Sequence, residues 1–132
     1  MESSSLMPPN NQTIQLEQPI DSMLKAQANL SEFLGVYKLD KEEQLRSTLA
    51  QLSVEASEAL APFLTKTKPW KTQTPDLTAT DEEVIDILHY VWTYFNIRGM
   101  SQSQIVELYF AKNARNFARV AEKMAVLQQT SH

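Results

Sequence analysis

After Asp21 the apolar residues of this chain recur every three or four positions, the period of an amphipathic helix rather than the alternation of a strand. The pattern predicts four helices. The first spans residues 22–34, with Asp21 as N-cap and Gly35 just past its end. The second starts after Asp40, with Glu43 three residues on, and carries Leu45, Leu49, Leu52, Ala56, Leu60 and Phe63 as its apolar stripe. Residues 65–78 hold two prolines and several threonines and read as a long loop, a length that usually serves function. The third helix runs over 80–98, opened by a capping box at Thr80 and Glu83, with Val84, Ile85, Leu88, Val91, Trp92 and Phe95 as its buried face. Ser101 and Gln104 form the capping box of the fourth, whose stripe is Val106, Phe110, Phe117, Val120 and Met124. Only two glycines occur, Gly35 and Gly99, both at helix ends, and there is no Asn-Gly or Asp-Gly hairpin turn. The expected fold is all-α, a four-helix bundle-like arrangement.

Composition sharpens this picture. The 132 residues suffice for one domain, assigned to 20–132, and the Ser-, Pro-, Asn- and Gln-rich segment 1–19 reads as a flexible lead-in. A net charge of −4 makes the chain a poor ligand for a nucleic-acid backbone. With no cysteine there is no disulfide framework, thiolate metal site or thiol nucleophile. Two histidines, one of them the terminal His132, leave little for a His-rich metal site. Neither a membrane span nor a signal peptide is legible, so a soluble cytoplasmic protein is expected.

The chemistry-bearing residues fall into three sets. Glu55 and Glu58 lie three residues apart on the second helix, and Glu83 and Asp86 three apart on the third. At about 100° per residue each pair projects from one helix face, so two adjacent helices can bring four carboxylates together. Such an oxygen-rich cluster suits Mg²⁺, which is held by carboxylates together with substrate phosphates. The same positions fit a solvated face opposite each apolar stripe, and acids in a first helical turn also complement the helix dipole. On the fourth helix Tyr109, Lys112, Asn116 and Arg119 form one polar strip whose cations suit a polyphosphate, or simply solvate a surface helix. Asn113 falls within the apolar stripe, where an amide needs a partner. Finally, Asp86 and His89 resemble half of a di-iron bundle motif, but the second half is missing.

Taken in order, Glu55-x-x-Glu58 and Glu83-x-x-Asp86 resemble the metal signature of the all-α nucleoside triphosphate pyrophosphohydrolases, which include MazG-like enzymes and the dimeric dUTPases. KPWK at 68–71, EEVIDILHY at 82–90 and the Tyr109, Lys112, Asn113, Asn116, Arg119 series are similar to the dUTPase branch. Gln27-Ala-Asn-Leu30 is a weaker match to its first-helix motif, with Ser31, or Asn29 in a shifted register, where that motif carries a base-contacting Asn. The resemblance covers about residues 20–125. It implies Mg²⁺-dependent hydrolysis of a nucleoside triphosphate, dUTP first, to the monophosphate and pyrophosphate. Glu55, Glu58, Glu83 and Asp86 would form the metal centre, with Glu55 orienting or deprotonating the attacking water. Gln27, Ser31, Trp70, Lys71, Tyr109, Lys112, Asn113, Asn116 and Arg119 would contact the nucleotide. A homodimer or homotetramer would cover the surplus apolar surface. The alternatives are a MazG-like enzyme acting on another nucleotide, a non-catalytic helical interaction module and a di-iron bundle.

Overall fold

The computed structural model describes residues 18–64 and 75–130. Among these residues the chain is all-α: α1 is Pro19–Phe33, a 3-10 turn spans Val36–Lys38, α2 is Lys41–Leu64, α3 is Leu77–Ile97 and α4 is Gln102–Thr130. No strand occurs among them. The chain divides into two units at Gly99 and Met100, so that α1–α3 form one and α4 the other. The lead-in expected at 1–19 lies outside the described residues except for its last two, and Pro19 already opens α1.

The helix boundaries follow local chemistry. α1 begins three residues before the predicted start, because Pro19 at the first helical position needs no N–H partner and its fixed φ suits a helix. Asp21 therefore does not cap α1; it sits in the first turn and pairs with Lys25 at 2.9 Å. Gly35, at φ 78°, takes the left-handed position that ends α1, and Gly99, at φ 68°, does the same after α3. Asp40 accepts from the Glu43 N–H at 2.9 Å, capping α2 where expected. The box at the start of α4 also forms: Gln104 Oε1 accepts from the Ser101 N–H at 2.9 Å, and Ser101 Oγ accepts from the Gln104 N–H at 3.2 Å.

The predicted start of α3 is corrected. Asp76, not Thr80, is its N-cap, and its Oδ1 accepts from Thr78 N–H at 3.0 Å and Ala79 N–H at 3.3 Å. Thr80 lies inside the helix and its hydroxyl donates back to the Asp76 carbonyl at 3.1 Å. A carboxylate at the N-cap also meets the positive end of the helix dipole, which a hydroxyl does not, so the earlier start wins.

Within the first unit α3 is the central element, packing most extensively on α2 and also on α1. Asn96 donates its amide to the Leu24 carbonyl at 2.9 Å, and Gln27 Nε2 donates to Thr93 Oγ1 at 2.9 Å. As α1 advances from 24 to 27, α3 recedes from 96 to 93, so the two helices run antiparallel.

The core departs from the expected stripes. In this unit Leu24, Trp92 and Ile97 are buried beside Gln27, Ser31, Thr48 and Thr93. On α2 the inward face is Leu45, Thr48, Leu52, Glu55 and Ala59, while Leu49, Leu60 and Phe63 of the predicted stripe are exposed. On α3 Val84 and Ile85 are likewise exposed. The inward face of α2 is thus partly polar and carries one of the site carboxylates, and the most apolar face points outward. In α4 Ile105 is buried, whereas Phe110, Phe117, Val120 and Met124 are exposed, and so is Asn113.

The capping difference is directly testable. Replacing Asp76 with Ala removes two bonds to orphan N–H groups and should cost about 1 kcal/mol by chemical denaturation. Thr80→Ala, by contrast, should stay within about 0.5 kcal/mol.

Candidate active site

α2 and α3 each carry an acidic pair toward the other. Ligand oxygens of Glu55, Glu58 and Glu83 lie within 4.8 Å of one another. Glu55 stands on the inward stripe of α2, Glu58 is one turn on and exposed, and Glu83 reaches the cluster from α3. Asp86, expected as the fourth ligand, is not one of the three that close up. It still acts on Glu55 through its charge, and its Oδ1 lies 3.7 Å from His89 Nδ1, so it stands beside the cluster.

The electrostatics match this crowding. The Glu55 carboxyl is pushed up to about 7, first by desolvation, then by its hydrogen bond with Glu83 and by the Glu58 and Asp86 charges. A proton shared among carboxylates is what like charges at this distance require when no cation is present. Glu83 Oε2 is buried and has no hydrogen-bond partner. An orphaned carboxylate oxygen inside a carboxylate cluster fits a hard divalent cation such as Mg²⁺, which takes oxygen ligands. The Tyr90 phenol, half-buried, is also pushed up, by burial and by Glu55, Asp86 and Glu58.

A second feature lies between α1 and α3. A cavity of about 290 Å³ is lined by Met23, Ala26, Gln27 and Leu30 from α1 and by Ile85, Leu88, His89 and Trp92 from α3. Its walls are mostly apolar, and the polar groups at its edge are few. Trp92 Nε1–H is buried and unpartnered. His89 lines the cavity and also pairs with Asp86, so it stands between the cavity and the acids.

The remaining expected residues fall in different places. Ser31 is 1% exposed and its hydroxyl makes no hydrogen bond of full geometry, although it opposes the effect of burial on the neighbouring Tyr37 phenol. Trp70 and Lys71 lie outside the described residues. Tyr109, Lys112, Asn113, Asn116 and Arg119 all sit exposed on α4, in the second unit. Sequence reasoning did not single out Tyr90; Trp92, expected on the buried face of its helix, is buried and also lines the cavity. Tyr90 was legible in principle, since it follows Glu83 and Asp86 at i+7 and i+4 on one face of α3.

Acids from two adjacent helices of an all-α fold thus form one cluster suited to a divalent cation. A family model described as dUTPase matches residues 19–97, more than half of the chain and all three converging glutamates. The chain belongs to this family of nucleoside triphosphate pyrophosphohydrolase type. A protein named dCTP pyrophosphatase, from Enterobacteria phage LZ5, is 34% identical over 96 residues, covering 63% of this chain and 54% of that protein. The chain thus spans about half the length of the curated relative it matches. No solved structure matches.

The raised Glu55 carboxyl has a measurable consequence in metal-free protein. An unfolded Glu ionises near 4.5, whereas folded Glu55 keeps its proton to about 7. Its contribution to stability is full below the lower value and is lost as pH rises through the upper one. Melting temperature should therefore fall across that window. Glu55→Gln should flatten the decline and melt higher than wild type at pH 8; parallel curves for the two proteins would refute the clustering.

Proposed function

We propose that the protein hydrolyses a pyrimidine deoxynucleoside triphosphate, with dUTP as first candidate, to the monophosphate and pyrophosphate in a Mg²⁺-dependent reaction. The observation that carries this reading is the convergence of Glu55, Glu58 and Glu83, one of which, Glu83, also has a buried, unpartnered oxygen. Glu55, Glu58 and Glu83 would hold Mg²⁺, joined by Asp86 from beside the cluster. When bound, the ion neutralises phosphate charge and polarises phosphate oxygens. Glu55 orients the attacking water and accepts its proton. Water supplies the oxygen that forms the new bond to phosphorus, the P–O bond to the leaving group breaks, and pyrophosphate departs with its electron pair.

The base takes the cavity between α1 and α3, an apolar recess with a few polar groups at its rim. Gln27 reads its edge, Ser31 supports that end of α1, and His89 borders the path toward the acids. Lys112 and Arg119 contribute phosphate contacts, Asn113 and Asn116 contact phosphate or sugar, and Tyr109 completes the strip. Trp70 and Lys71 act from the segment between α2 and α3. These assignments rest on the family likeness and on residue chemistry. The exposed apolar stripes of α2 and α4 are covered in a homodimer or homotetramer, and the setting is the cytoplasm. No helix among the described residues is long and apolar enough to cross a membrane.

The relative's name favours one competing substrate, dCTP, which differs from dUTP in the group at C4 of the base. Pyrophosphate release measured with dUTP, dCTP and dTTP in the presence of Mg²⁺ decides between them. Activity is expected on at least one, lost on chelation. Glu83→Gln should lower kcat/KM by about a hundredfold or more while the fold survives. No pyrophosphate from any of the three would sink the reading.

A further inference from the structure

We propose that Thr93 is a positioning residue for base recognition, acting through Gln27 by fixing which end of that amide faces the cavity. The inference rests on the base site proposed above and adds a residue outside it.

Gln27 and Thr93 are both buried, at 8% and 3% exposure. Thr93 Oγ1 lies 2.9 Å from the His89 carbonyl, one turn back, and 2.9 Å from Gln27 Nε2. A hydroxyl has a single proton to give. Thr93 gives it to the His89 carbonyl, which can only accept, so toward Gln27 the same oxygen acts as an acceptor. The Gln27 amide must then present its NH₂ to Thr93. With the amide reversed, the two acceptors on either side of Thr93 would compete for one proton and one bond would be lost. Gln27 Oε1 is thereby assigned the opposite direction, and it makes no hydrogen bond among the described residues.

This gives the cavity a defined polarity. Gln27, which lines the cavity, offers it an acceptor of fixed direction. A pyrimidine edge carries a donor beside an acceptor: N3–H beside a carbonyl in uracil, or the amino group beside N3 in cytosine. A set acceptor meets the donor of such an edge, whereas a freely reversing amide would not discriminate donor from acceptor. Thr93 touches no substrate in this scheme.

The test is a kinetic comparison of wild type with Thr93→Val and Thr93→Ser on the most active pyrimidine triphosphate. Valine keeps the shape and removes the hydroxyl, while serine keeps the hydroxyl. Thr93→Val should raise KM about tenfold, the weight of one hydrogen bond to the base, with kcat within about twofold. Thr93→Ser should restore KM. Because the effect passes through Gln27, adding Thr93→Val to Gln27→Leu should raise KM no further. Thr93→Ala repeats the comparison if the valine variant does not fold. An unchanged KM in a folded hydroxyl-free variant overturns the proposal while leaving the parent reading intact. So does an undiminished effect in the Gln27→Leu background, the mark of a purely structural role. A wild type inactive on every pyrimidine triphosphate overturns the parent reading and this inference together.

Discussion

Like charges gather inside a fold only when something else holds them there, and the convergence of Glu55, Glu58 and Glu83 is the constraint from which this structure follows. To bring α2 and α3 acids together, α2 must turn Glu55 toward α3, and that rotation decides what the rest of the helix does. Leu45, Thr48, Leu52 and Ala59 share the inward face, and the richer apolar stripe is carried outward. The core of the first unit is correspondingly half polar. Three large apolar side chains are buried beside Gln27, Ser31, Thr48 and Thr93. Apolar burial is the main favourable term in folding, so a core of this kind gives up stability for placement.

The polar members of that core are used differently. Gln27, Thr93 and Asn96 make directed bonds between α1 and α3, which fix the antiparallel register to single residues. Ser31 and Trp92 leave polar atoms without partners, and in a native protein such atoms call for an explanation. One side of α3 thus carries charge and another lines a mostly apolar cavity, with His89 between them.

Most of the architecture was legible because helix punctuation is local. Asp40, Gly35, Gly99 and the Ser101–Gln104 box do what their types and spacings dictate, without help from distant residues. The start of α3 was misread because two capping signals compete within five residues, and only the geometry shows which oxygen reaches the free N–H groups. The inward face of α2 was misread for a deeper reason. Hydrophobic periodicity reports the face with most to gain from burial somewhere, not the face buried against its own chain. The acid pairs were legible from i, i+3 spacing, whereas the Gln27–Thr93 bond joins residues 66 apart and leaves no trace in a periodic pattern.

One consequence of the half-polar core concerns how firmly different parts of the molecule are held. The only buried residue of α2 is Thr48, near the middle of its first half, and the helix continues to Leu64 with nothing else fully enclosed. Glu55 and Glu58 stand on that lightly anchored second half. Amide hydrogens along α2 should then exchange on a gradient, slow around Thr48 and faster toward the helix end, because local opening needs little apolar surface to be exposed there. A ligand that ties Glu55 and Glu58 to Glu83 would close the gradient from the loose end, so that occupancy of the site completes a fold the bare chain leaves partly slack.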